Sequence, residues 1–277
     1  MTTIHRPLAS LFAVLVVGLV LAGCAATVTE RSGVPNAEGL DIKDHTTSSD
    51  ESDAAKRART RMDLASAYFS RNQMTTALDE VKKAIVANPQ YGEAYNLRGL
   101  IYANLGDTAL AEDSFKRSLQ INPRDPDALH NYGFYLCQQK RYPESFALFA
   151  RALAVPSYQG VVRTLLAQGI CQAYDGQMMQ AEGTLTRAYE LDTSNPFTAT
   201  NLSQVLYDRG EFERARFYIR RVNAMPGVSN AQTLWLAARI ENKLGNRQGT
   251  AELGAQLRNR FPESRETAAF ARDAFDE

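Results

Sequence analysis

Small, aromatic, alanine and proline residues recur in this chain at a fixed interval of 34. Ala65 and Gly99, Tyr68 and Tyr102, Ala77 and Ala111, Val81 and Phe115, and Pro89 and Pro123 are each separated by that distance. A period of this length accommodates one helix–turn–helix unit, whose apolar faces are buried only when the next unit stacks on it. The expected fold class is therefore all-α. Such an array grows by adding units rather than by enlarging one core, so its length is not capped as a compact domain's is.

Six units follow when the interval is carried along the chain. They begin near Ala58, Gly92, Pro126, Val162, Pro196 and Ala231. The predicted repeats are 58–91, 92–125, 126–161, 162–195, 196–230 and 231–262, within a repeat region of 54–262, with short insertions before the fourth and sixth. The eighth position of each first helix, helix A, is small throughout: Ala65, Gly99, Gly133, Gly169, Ser203 and Ala238. Helices A and B cross closely there, and a bulky side chain would separate them. The turn between the helices carries Gly106, Gly176, Gly210 and Gly245, as a left-handed helix end requires. The twentieth position reads Ala77, Ala111, Ser145, Ala181, Ala215 and Thr250, which makes the sixth repeat the weakest match. Arg98 departs from the leucine common at its position, and its guanidinium is expected to snorkel out of the packing. The pattern resembles the tetratricopeptide repeat, which implies a right-handed superhelix with a concave inner wall. A capping helix is expected over 263–277, started by Ser264 after Pro262 and packing through Thr267, Ala268, Ala271 and Phe275.

The beginning of the chain has another character. His5 and Arg6 precede an apolar run from Leu8 to Leu21, which reads as a secretory signal over 1–23. The run ends Leu21-Ala22-Gly23-Cys24, which resembles the bacterial lipobox and implies diacylglycerol on the Cys24 sulfur and an N-acyl chain on its amine. Several acyl chains give stable anchoring, each buried methylene contributing about 0.8 kcal/mol. Ala25 stands where an aspartate would retain such a lipoprotein at the inner membrane, so the expected location is the outer membrane, with the repeats in the periplasm. Residues 24–53 are rich in Thr, Ser, Asp and Glu and lack an apolar period, as a disordered tether would be. About 30 such residues reach roughly 30 Å on average.

Composition restricts the chemistry. Thirty-one basic residues balance 31 acidic ones and no basic block interleaves with aromatics, so nucleic acid is not an expected partner. A catalytic or metal site needs His, Cys or carboxylates converging on one point. Of three histidines, His5 lies in the signal, His45 in the tether, and only His130 in the array. No zinc-protease, phosphate-cradling or nucleophile-elbow motif occurs. The expectation is a non-enzyme with no small-molecule substrate, no metal and no cofactor beyond the lipid on Cys24.

Cys137 and Cys171 are 34 residues apart on the A helices of the third and fourth repeats, which stacking places side by side. A disulfide across that seam is open to them, as are two buried free thiols.

Positions two, five, nine, twelve and thirteen of each helix A face the inner wall of such a superhelix. The candidate groove residues are Met62, Ser66, Phe69, Asn96, Leu100, His130, Phe134, Leu166, Ile170 and Tyr174. The ninth positions run Ser66, Leu100, Phe134, Ile170, Gln204 and Arg239, apolar in the central repeats and polar at the end. This strip suits an extended or helical segment of a protein partner held by apolar anchors. In the fifth and sixth repeats the lining residues Phe197, Tyr207, Trp235 and Arg239 form either a second contact surface or an end closed on itself.

Asn131-Tyr132-Gly133-Phe134-Tyr135-Leu136-Cys137, followed by Gly169-Ile170-Cys171 and Ala181-Glu182, resembles the PilF/PilW pilotin family of type IV pilus biogenesis lipoproteins. The resemblance runs from the lipobox to the sixth repeat. It implies six tetratricopeptide repeats on an outer-membrane anchor, a pilus secretin as protein partner, and help for that secretin in reaching the outer membrane and forming multimers. It also implies that Cys137 pairs with Cys171 and that the early repeats face the secretin. A periplasmic scaffold for peptidoglycan enzymes is the other function such an array could serve.

Overall fold

The computed structural model describes residues 52–275. The expected signal, Cys24 with its expected lipid, and nearly all of the expected tether lie outside these residues. Among the described residues there are thirteen α-helices and no strand, and no helix is long and apolar enough to cross a membrane. They pair as α1 (Asp53–Ser70) with α2 (Met74–Ala87), α3 (Gly92–Leu105) with α4 (Thr108–Ile121), and α5 (Pro126–Gln138) with α6 (Tyr142–Leu153). Next come α7 (Val161–Tyr174) with α8 (Met178–Leu191), α9 (Pro196–Asp208) with α10 (Phe212–Ala224), and α11 (Ala231–Lys243) with α12 (Arg247–Arg260). A short α13 (Arg265–Ala271) follows. From α1 to α11 each odd-numbered helix packs most closely on the even-numbered helix after it, successive pairs stack in chain order, and α13 packs on α11 and α12. The result is an all-α tetratricopeptide array of six repeats.

The helix starts follow from capping chemistry. Ser52 accepts the Ala55 N–H, which carries α1 back beyond the start that the period alone suggests. Asp125 and Asn195 cap α5 and α9 ahead of Pro126 and Pro196, whose fixed φ suits a first helical position. The turns between paired helices hold Gly106, Gly176, Gly210 and Gly245 at φ of 71–81°. The equivalent residues of the first and third repeats are Asn72 and Lys140, each at φ 59°, so those two turns adopt the left-handed conformation without glycine.

Small residues at the eighth position are required by what lies opposite. A Cβ on Gly169 would sit 2.5 Å from Leu185 Cγ, the residue that α8 drives into the crossing. Phe115, Phe149, Leu185 and Ile219 occupy this place in successive B helices, all fully or almost fully buried. Each contributes about 2–3 kcal/mol by leaving water. In the sixth repeat the place belongs to Gly254, and the room is taken by the Phe270 ring from α13, which any Cβ on Gly254 would overlap. The weakest repeat is thus completed by the cap.

The cap differs from its sequence-based reading. Ser264 does start α13, accepting the Thr267 N–H at 3.1 Å. Ala268 and Ala271 are exposed, however, and the packed face is Thr267 with Phe270. The helix ends at Ala271, so Phe275 reaches the core from a turn beyond it. Arg98 also differs. Its guanidinium does not run out to solvent but lies along the repeat, donating to Ser114 Oγ at 2.9 Å and Asp113 Oδ2 at 3.2 Å over the face of Tyr95. The hydroxyl and carboxylate from α4 satisfy it where it lies.

Cys137 and Cys171 are joined in a disulfide between α5 and α7, with Cα atoms 5.9 Å apart. Both are buried with Phe149 and Ala167. The bond ties the third repeat to the fourth across the seam where the period is interrupted.

Candidate protein-binding surface

Helix A contributes one row of side chains at the ninth position and one at the fifth, a turn apart on the same face. Along the ninth row, Ser66 and Phe134 are exposed and Leu100 and Ile170 half-buried. Phe134 keeps 38% of its surface in water, a large value for phenylalanine between two aliphatic neighbours. Met62 and Phe69 pack their inner edges against the first-repeat core, Leu100 against the cluster around Phe115 and Leu129, and Leu166 against that of repeats four to six. Leu100, Phe134 and Ile170 therefore form an apolar strip whose outer edge is wet.

Met62, Asn96, Leu97 and Leu100 surround a hollow of about 260 Å³, rimmed by Glu93, Asp125 and Asp127. The structure brings the first-repeat and second-repeat candidates together here. Asn96 is held by a bond from Asn131 Nδ2 at 3.2 Å. Sequence reasoning missed the acidic rim, although Glu93 and Asp127 stand at the second position of their repeats. Asp125 is engaged in capping α5 and Asp127 pairs with Arg163.

Two candidates fall elsewhere. Tyr174, 73% exposed, borders a separate hollow with Cys137, Gln138, Lys140 and Tyr142 near the ends of α5 and α7. His130 is not in the groove at all. Its ring is 7% exposed, packs 5.9 Å from Phe149, and has Nδ1 2.8 Å from Thr164 Oγ1. The reason is the insertion before the fourth repeat, which places the buried Tyr158 hydroxyl 2.7 Å from the same Thr164 oxygen. Burial, with help from the Arg163 charge and against that of Asp127, lowers the His130 pKa to about 4. His130 is a neutral structural residue of the seam between repeats three and four.

Another seam carries charge. Glu112 accepts from Tyr132, Arg141 and Lys116 at 2.8–3.0 Å. Burial opposes its ionisation, but these bonds hold the carboxyl down at about 2. Among the described residues, no group of three His, Cys, Asp or Glu is placed to hold a metal ion.

Models of the tetratricopeptide repeat family match residues 92–125 and 114–147. Among solved structures, that of PilW, described as a widely conserved type IV pilus biogenesis factor, superposes with a TM-score of 0.73. It is 30% identical to this chain, and the match covers 77% of this chain and 98% of PilW. The chain belongs to the PilF/PilW family of type IV pilus biogenesis proteins. Family membership is consistent with the type IV pilus assembly protein PilF of Pseudomonas aeruginosa, 26% identical over 218 residues, or 79% of this chain and 85% of that protein. The solved structure of P. aeruginosa PilF has a TM-score of 0.71 at 24% identity, covering 80% of this chain and all of that one. At that identity the superposition speaks for the fold alone. As in tetratricopeptide proteins generally, the PilF/PilW array offers stacked helix faces for protein contact.

Proposed function

We propose that this chain is an outer-membrane lipoprotein of type IV pilus biogenesis that grips a segment of the pilus secretin and promotes its localisation and multimer assembly. Acyl chains on Cys24 would tie the complex to lipoprotein transport, the tether would give the array reach, and no covalent step on the secretin is needed. The observation that carries the reading is the strip Leu100, Phe134 and Ile170, a run of apolar anchors left wet on the A-helix face of a PilF/PilW family member. Apolar anchors of this kind dominate the energetics of protein interfaces.

Phe134→Asp places a charge in the middle of the strip at a side chain that lies outside the buried core. Secretin recovered with this variant from envelope extracts is expected to fall at least about tenfold against wild type, equivalent to about 1.4 kcal/mol or more of lost binding. The fraction of secretin found as outer-membrane multimers should fall with it. Equal recovery of secretin by both proteins would refute the groove as the contact, and multimers at normal abundance in a strain lacking the protein would refute the pilotin role.

A further inference from the structure

At the far end of the array the A-helix wall is covered by the chain itself. After α13, Asp273 takes φ 55°, with its N–H bonded to the Phe270 carbonyl at 3.1 Å and the Ala274 N–H to that of Ala269 at 3.0 Å. This left-handed helix end reverses the chain and carries Phe275 back over repeats five and six. There its ring stacks on Trp235 at 5.3 Å, with Phe270 edge-on to both. The Phe275 carbonyl accepts from Arg239 Nε at 3.2 Å and, at a long 3.4 Å, from the Tyr207 hydroxyl. Arg239 in turn lies over the Tyr207 ring, 4.4 Å from its centre.

Trp235, Arg239 and Tyr207 occupy the fifth, ninth and twelfth positions of their A helices, of which the ninth row carries the strip in the earlier repeats. What they recognise is one aromatic ring and one main-chain carbonyl, features that any polypeptide with a suitably placed aromatic residue offers. The tail is not fully enclosed: Asp273 is exposed, Phe275 is only half-buried, and a hollow of about 310 Å³ opens beside Phe270 and Phe275 toward Asn242, Thr250 and Ala251.

We propose that the A-helix wall of repeats five and six is a second polypeptide-binding site, in which residues 272–275 stand in for a partner segment that presents an aromatic side chain beside a free main-chain carbonyl. The tail is then a strap competing with that segment. This site is separate from the Phe134 strip and does not depend on the secretin reading.

Trp235 is the only tryptophan in the chain, so its emission reports the site directly. The probe is a synthetic peptide with the sequence of residues 269–277, titrated against the full chain and against the full chain carrying Phe275→Ala. Because a tethered competitor acts at an effective concentration in the millimolar range, the peptide is expected to bind Phe275→Ala at least about tenfold more tightly than wild type. Arg239→Gln added to that variant, or Phe275→Ala made in the peptide instead, should each weaken binding about tenfold. Equal binding to wild type and Phe275→Ala, indifference to both control changes, or no response of Trp235 in a Phe275→Ala chain of native helicity would overturn the proposal. Should Phe275→Ala lose helicity, wild type taken to peptide saturation decides instead, since its Trp235 emission must change with the natural peptide and not with the alanine one.

Discussion

Replacing Cys137 and Cys171 together by alanine is expected to lower the stability of the repeat array by about 3–4 kcal/mol, the entropy of leaving a loop of this length unclosed in the unfolded chain. The cysteines are 34 residues apart, so the loop spans a whole repeat. Repeat arrays gain stability from each unit and from each interface between neighbours. The bond crosses one such interface, that between α5 and α7, so its loss should weaken coupling between the first three repeats and the last three. Denaturant unfolding followed by circular dichroism should show an earlier midpoint and a broader or divided transition. Hydrogen exchange should place the new opening in α5–α8. A midpoint unchanged from wild type, or an opening confined to α1–α2 or α11–α12, would contradict this role.

The second large effect concerns acid. An ordinary imidazole has a pKa near 6.5, and that of His130 is lowered to about 4. The unfolded chain therefore binds a proton in the interval between them that the folded chain refuses. Stability from this source is fully present above about pH 6.5, is lost as pH falls, and levels off below about 4. The whole interval corresponds to about 3 kcal/mol. Thr164, Tyr158, Phe149, Asp127 and Arg163 surround the ring or act on it, and only the last two carry charge. His130→Asn keeps a polar partner for Thr164 but cannot titrate. Between pH 7 and 4 wild type should lose about 3 kcal/mol more than the variant, measured by urea unfolding at each pH. Parallel profiles would mean that His130 already exchanges its proton freely in the folded chain.

Both effects centre on the seam between repeats three and four, and that seam also marks where sequence reading runs out. The helix pairs were legible because each crossing needs a small residue opposite a large one, and Gly169 against Leu185 imposes that need every 34 residues. Partners drawn from segments without a repeat position were not legible. Tyr158 belongs to an insertion, and nothing in the period announces that it will cover His130. Phe275 was expected to pack in the cap, but Phe270 lies past the last repeat and off the expected stripe, and only the missing side chain at Gly254 hints that its ring completes the crossing. Arg98 was read as an intruder because the period names its position and not its neighbours Ser114 and Asp113. The apolar strip was legible residue by residue. Its wet edge was not, because exposure depends on how far neighbouring A helices splay.

The central claim is that the A-helix face of the early repeats is where another polypeptide docks. A photo-crosslinking amino acid placed at position 134 tests this most directly, with the same residue at position 217 as control. Phe217 is more exposed than Phe134 but lies on a B helix, α10. In cells assembling pili, an adduct with the secretin is expected from position 134 and not from position 217. A secretin adduct from position 217 alone, or from neither position while pili still assemble, would contradict the account.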